Sequence, residues 1–314
     1  MPRYLTWLHL SDLHACKPRT GWDARRVTNT LRTDLKRMQE ERGLRPDLVF
    51  FTGDAAFGQI GKERGQAIVD QFREAHDFLT AVRQTFQPEI PQRDLFLVPG
   101  NHDVNRERVS TFETNWLAAT HSLDEMQNTL QQAGTDWQRL LGRLDDYARF
   151  LGAHGYDHLL TGRQHLIYAD AREVAGLRVG IAGFNSAWSS RGAGREELGR
   201  LWMAGRFQLE TILEQMPAHD FAIALVHHPG NWLVPEENPD VGRLLEREFP
   251  FVLHGHEHQG WVRPNAANGH TTISAGACHE WSEGRDNGYN FVRLDLDTGN
   301  GEVWLRQYDS QGGA

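Results

Sequence analysis

Three short apolar runs, each stopping abruptly at a polar cluster, constrain this chain more than any other feature. They are Leu5–Leu10 before Ser11-Asp12-Leu13-His14, Leu48–Phe51 before Thr52-Gly53-Asp54, and Leu95–Val98 before Pro99-Gly100-Asn101-His102-Asp103. Each is too short for a helix and lacks the polar alternation of a half-solvated strand, so it reads as a strand buried on both faces. Helical patterns lie between them. Asp23–Arg42 lines up Val27, Leu31, Leu35 and Met38, and Ala67–Phe86 lines up Ile68, Phe72, Ala75, Leu79, Val82 and Phe86. Strand, helix, strand, helix, strand implies right-handed crossovers and a parallel sheet.

Residues 104 to about 162 break this rhythm with helical patterns throughout, for instance Trp137–Leu151. The expectation is a helical insertion over the C-terminal edge of the sheet, serving either as a cap on a site or as a plain structural layer. Strands resume at Leu166–Ala171, Arg178–Phe184, Phe221–Val226, Phe251–Leu253, Thr272–Ala275, Phe291–Leu296 and Val303–Tyr308, with a hairpin turn at Gly299–Gly301. Helices are expected at Arg206–Gln215 and Val241–Arg247. The architecture inferred is an α/β domain over residues 1–314, with two facing mixed sheets flanked by helices.

Composition excludes several classes. A net charge of −9 leaves no overall basic character for avid binding to a polyanion. No apolar run approaches the roughly 18–20 residues of a membrane span, and Leu5–Leu10 runs straight into a polar cluster, so a cytoplasmic chain is expected. Cys16 and Cys278 form no framework pattern and read as two reduced thiols.

Five polar clusters close five apolar runs: Asp12-x-His14, Gly53-Asp54, Gly100-Asn101-His102-Asp103, His227-His228 and Gly255-His256-Glu257-His258. C-terminal strand ends of an α/β sheet face one crevice, so the clusters are expected to converge. Carboxylate, imidazole and carboxamide donors without thiolate suit Mn²⁺ first, with Fe, Zn²⁺ or Ni²⁺ as alternatives. An extended pair would put Asp12 and His14 on one face, and likewise His256 and His258. Gly53, Gly100 and Gly255 are expected at tight turns.

D-x-H, G-D-x-x-F, G-N-H-D, H and G-H-x-H, in this order, resemble the signature of calcineurin-like metallophosphoesterases. The resemblance spans residue 5 to about 260 and implies a two-sheet α/β sandwich with a dinuclear metal site. It implies Asp12, His14 and His258 as ligands of one divalent transition-metal ion, Asn101, His227 and His256 as ligands of a second, and Asp54 as the bridge. It also implies a catalytic His102 with Asp103 as its orienting partner. His228 is then an outer residue or faces substrate. The reaction implied is phosphoester hydrolysis by water activated between the metals, with His102 assisting the leaving group.

The substrate class expected is a small nucleotide-derived phosphodiester. Alternatives are a DNA-processing nuclease, which needs a basic groove and a partner subunit, a metal-bound scaffold, or a hydrolase module of a larger assembly. Arg106, Arg191 and Arg195 are candidate phosphate clamps or solvated loop residues, and Arg108 is of the same kind. Asn185 and Trp188 line the pocket or pack beside it. His9 reads as core, Glu257 as pointing away from its two histidine neighbours, and Phe57 as packing.

Overall fold

A computed structural model describes residues 2–58, 66–119, 121–279 and 287–308. The strands are β1 (Tyr4–Leu10), β2 (Leu48–Phe51), β3 (Leu95–Leu97), β4 (Tyr168–Val174), β5 (Leu177–Gly183), β6 (Phe221–Leu225), β7 (Phe251–His254), β8 (Trp261–Asn265), β9 (His270–Ser274), β10 (Gly288–Asp295) and β11 (Gly301–Gln307). The helices are α1 (Lys17–Arg42), α2 (Ile68–Thr85), α3 (Thr111–Ala118), α4 (Leu123–Gln132), α5 (Thr135–Leu141), α6 (Asp145–Ala153), α7 (Gly205–Gln215) and α8 (Asp240–Glu248).

The strands form two mixed sheets, ordered β11-β10-β1-β2-β3 and β4-β5-β6-β7-β9-β8. β1, β2 and β3 run parallel, as do β5, β6, β7 and β9. The buried runs recognised in the sequence are the parallel strands. Their inward faces meet between the sheets, where Trp7 of β1 stands edge-on to Phe251 of β7 at 5.3 Å and Phe96 of β3 stacks on Tyr168 of β4 at 6.2 Å. α1 and α2 pack against the core shared by the sheets through Leu31, Leu35, Phe72 and Leu79. A second core forms where α7 and α8 set Leu209, Ile212, Val241 and Leu245 against Ala182, Ala224 and Val252 of β5, β6 and β7. Helices thus flank two facing sheets, as expected.

β8 has no counterpart among the expected strands. It is an edge strand carrying Pro264, which an outer position tolerates because one side of the backbone needs no ladder partner. α3 to α6 fill the interval of the expected helical insertion. Ser110 and Ser122 cap α3 and α4 by accepting backbone N–H bonds from Glu113 and Glu125. The block docks by stacking Phe150 on Phe72 at 5.1 Å and Trp137 edge-on to Trp188 at 5.1 Å. Among the described residues, none from 104–162 lines the cavity at the strand ends. The apolar faces of these helices are spent on α2 and on the Trp188 segment. Cys16 and Cys278 are buried free thiols. Among the described residues, no helix is long and apolar enough to cross a membrane.

Candidate metal centre

Five of the parallel strands deliver their polar clusters to the same end of the sandwich. Asp12 and His14 follow β1, Asp54 follows β2, Asn101 and His102 follow β3, His227 and His228 follow β6, and His256 and His258 follow β7. The loops after β1 and β2 continue to pair, with Asp12 N donating to Gly53 O (3.0 Å) and Ala15 N to Ala55 O (3.0 Å). The two sheets join through His256 N, which donates to Asp12 Oδ2 (3.1 Å), and Cys278 N, which donates to Ser11 O (2.8 Å).

The backbone at the clusters is not extended. Asp12 (φ 54°), His14 (49°), Asp54 (58°), His256 (69°) and His258 (57°) are all left-handed. The extended-pair argument for Asp12/His14 and His256/His258 is therefore corrected: left-handed residues on either side of Leu13 and Glu257 bring each pair to one place. Such conformations cost on the order of 1–3 kcal/mol each and gather where function demands them. The glycines also need correction. Only Gly53, at φ 100°, turns in the left-handed region. Gly100 and Gly255 serve close approach, since an added Cβ would sit 2.2 Å from Asp54 Oδ1 and 1.9 Å from Ser11 Oγ respectively.

The donor atoms fall into overlapping groups. Those of Asp12, His14 and His258 lie within 4.8 Å of one another, as do those of His227, His228 and His256. Asp54 belongs to a group with Asp12 and His227 and to another with His14 and His102. Asn101 Oδ1 lies 3.1 Å from both His227 Nε2 and His228 Nε2. Several contacts make poor hydrogen bonds and good cation positions. Asp12 Oδ1 is buried 3.0 Å from His258 Nε2, and His14 Nε2 faces His258 Nε2 at 3.3 Å. His227 Nε2 stands 3.3 Å from Asp54 Oδ2. The set fits two divalent cations in kind and in placement.

At His227 burial is outweighed by Asp54, which raises the ring to about 9, so a cation there displaces a proton. At the other donors the electrostatics favour ligation. Burial drives His14 down to about 3, with His102 adding to it, and burial with His228 and His227 alongside drives His256 far down. These rings stay neutral, the form that ligates a cation. Burial opposes ionisation of Asp54 and Asp12. His227 and His102 outweigh it at Asp54, as His258 does at Asp12, and both carboxyls stay below their ordinary range.

Outer partners fix the donors. His227 Nδ1–H donates to Thr52 O (2.6 Å), leaving Nε2 free to accept a cation. His228 Nδ1 meets Ser186 Oγ at 2.9 Å. Ser186, in the loop that follows β5, carries no motif and was invisible in the sequence. The backbone N–H of His102 donates to Asp54 Oδ1 (2.7 Å), and its Nδ1–H donates to Phe57 O. The expected pairing of Asp103 with His102 is not present. Asp103 turns inward and accepts backbone N–H bonds from Gly100 (2.8 Å), Asp54 (3.0 Å) and Ala56 (2.9 Å). A carboxylate among three buried amides is better satisfied there than against one imidazole.

Of the four arginines considered for substrate, Arg195 lines the cavity. Arg191 pairs with Glu196 (3.1 Å), and Arg106 lies across Gly192, where an added Cβ would come within 2.3 Å of its Nε. Neither lines the cavity, because each is spent on the 189–197 loop. Arg108 pairs with Asp145 and Asp146 of α6. Asn185 and Trp188 are buried packing and hydrogen-bonding residues, with Trp188 Nε1–H donating to Met203 O (3.1 Å). His9 is buried, as expected.

No curated protein matches the chain in sequence. Among solved structures, the sulfate thiohydrolase SoxB of Thermus thermophilus aligns at 12% identity and TM-score 0.48 over 99% of this chain and 58% of its own. A putative 5′-nucleotidase of Staphylococcus aureus aligns at 13% and 0.48 over 99% and 56%. The NAD nucleotidase of Haemophilus influenzae aligns at 11% and 0.45 over 99% and 53%. The chain spans little more than half the length of these proteins, and at such scores nothing of their activity transfers. The family model for calcineurin-like phosphoesterases matches residues 5–260, the stretch that carries all five strand-end clusters. This chain belongs to the calcineurin-like phosphoesterase family.

Proposed function

We propose that the chain is a dinuclear metal-dependent phosphodiesterase acting on a nucleotide-derived substrate. The observation that carries this reading is the place of Asp54, whose carboxylate belongs both to the group with Asp12 and His227 and to the group with His14 and His102. Asp12, His14 and His258 would hold one cation and Asn101, His227 and His256 the other, with Asp54 shared between the two groups. Two divalent cations there, Mn²⁺ first, would supply a nucleophile from water at neutral pH and neutralise charge on the phosphoryl oxygens. His228, held by Ser186, steadies Asn101 through its Nε2. Phe57 O occupies the Nδ1 side of His102, so Nε2 is the atom that carries a proton to the departing oxygen. A diester is favoured over a monoester because a cavity of about 1280 Å³ extends beyond the donors and leaves room for both ester arms.

Asp54→Ala tests the reading. It is expected to abolish activity and to empty both positions by metal analysis, with wild type holding two ions per chain. One ion in fully active wild type would sink the dinuclear assignment. A panel of bis-p-nitrophenyl phosphate, p-nitrophenyl phosphate, cyclic nucleotides and single-stranded DNA tests the substrate class. Faster turnover of the monoester would overturn the diester preference, and turnover of DNA above all others would favour the nuclease alternative.

A further inference from the structure

The cavity opening from the metal centre, about 1280 Å³, exceeds the roughly 300–1,000 Å³ of a small-ligand pocket. Two tryptophans, Trp232 and Trp261, line it. Trp261 is engaged, because its Nε1–H donates to Glu257 (2.9 Å) and the Arg263 guanidinium lies over its ring at 4.8 Å. Among the described residues, Trp232 has no cation over its ring and no hydrogen bond at its Nε1.

Trp232 is also placed next to the chemistry. It ends the turn Gly230–Trp232, just past the His227-His228 pair, and is half-buried. Its ring centroid lies 3.9 Å from that of His256, nearly perpendicular at 85°, and 6.1 Å from that of His228. Its backbone is fixed, since Leu201 N donates to Trp232 O (3.1 Å) and Val234 N to Leu201 O (2.9 Å). The segment leading into Leu201 brings two more residues to the cavity. Leu198 is an apolar side chain left 51% exposed, and Arg195 is a cation. A rigid indole beside metal donors, with exposed apolar surface and one guanidinium, suits a flat base joined to an anionic phosphate.

We propose that Trp232, with Leu198 and Arg195, forms a nucleoside subsite in which the indole stacks on the base of the ester arm lying toward His256. This rests on the phosphodiesterase reading and adds which residues select the nucleoside. Thymidine 5′-(p-nitrophenyl phosphate) and methyl p-nitrophenyl phosphate share a leaving group and differ in the nucleoside. Trp232→Ala is expected to lower the ratio of their kcat/KM values by about tenfold or more, mainly through KM for the thymidine ester. Trp232→Phe is expected to retain most of the ratio, and Trp232→Leu, which keeps apolar bulk, to lose it. Metal analysis is expected to find two ions in each variant. An unchanged ratio, equal losses on both esters, or full retention by Trp232→Leu would overturn the subsite. If wild type hydrolyses neither diester but does hydrolyse p-nitrophenyl phosphate, the phosphodiesterase reading fails on its own. The subsite is then read from inhibition by thymidine 5′-monophosphate relative to inorganic phosphate, and an unchanged relative inhibition in Trp232→Ala would overturn it.

Discussion

Asp103→Asn separates two roles for the residue that ends the Asn101–Asp103 turn. Asp103 is fully buried, and its two oxygens accept three backbone N–H groups, from Gly100, Asp54 and Ala56. Asparagine keeps one acceptor oxygen. Placed where Oδ2 stood, it still serves Gly100 and Asp54, but its NH₂ then faces the N–H of Ala56. The opposite rotamer strands two donors instead of one. The better rotamer is expected to cost about 1–3 kcal/mol for the stranded amide. Asp103→Ala strands all three, roughly 3–9 kcal/mol, which approaches the whole stability of a typical domain, roughly 5–15 kcal/mol. Asparagine is therefore the informative change. Urea denaturation of metal-free protein measures the stability loss directly, and metal content measures its consequence at Asp54, whose own N–H is one of the three donors. The expected result is lower stability and weaker metal retention, with no dependence of the kcat loss on leaving group. Unchanged stability and full metal content, with a kcat loss that grows for poorer leaving groups, would refute this account and return Asp103 to the role of orienting His102.

His102→Ala is expected to retain both ions and to lose about 10²- to 10⁴-fold on a nucleotide diester with an alkoxide leaving group, and clearly less on a p-nitrophenyl ester. Because the His102 ring lies 4.5 Å from that of His14, metal analysis is the decisive control, and a missing ion would make His102 a ligand instead. Glu237 is buried at the start of α7, where Ala204 N and Met203 N donate to it, and burial raises its carboxyl to about 7. Its folded value lies above its unfolded one, so its contribution to stability is complete below about pH 4.5 and is lost as pH rises through about 7. Glu237→Gln is expected to flatten the decline in stability between those values by up to ~3 kcal/mol, and parallel pH profiles for the two proteins would refute it.

The sequence by itself determined the parallel strand segments, the flanking helices and the convergence of the donor residues. The reason is that strands buried on both faces leave continuous apolar runs, and parallel strands deliver their ends to one side. Only the tertiary structure decided how the donors are aimed. Left-handed backbone at Asp12, His14, Asp54, His256 and His258 leaves only a faint trace in residue type, since none of the five is glycine and aspartate and histidine merely visit that region more often than other side chains. The partner of His102 is a backbone carbonyl, at Phe57, which any side chain would supply. The hydrogen-bond partners of Asp103 were illegible for the same reason, because they are main-chain amides brought together by two loops. Ser186, Trp232 and β8 were missed because they hold their places through contacts distant in sequence, and no local periodicity records those. The helical segment at 104–162 was visible as helix, but which surface it covers depends on Phe72 and Trp188 receiving Phe150 and Trp137. That docking spends the block's apolar faces on α2 and the Trp188 segment, and the cavity above the metal donors is lined instead by the loops that carry Arg195 and Trp232.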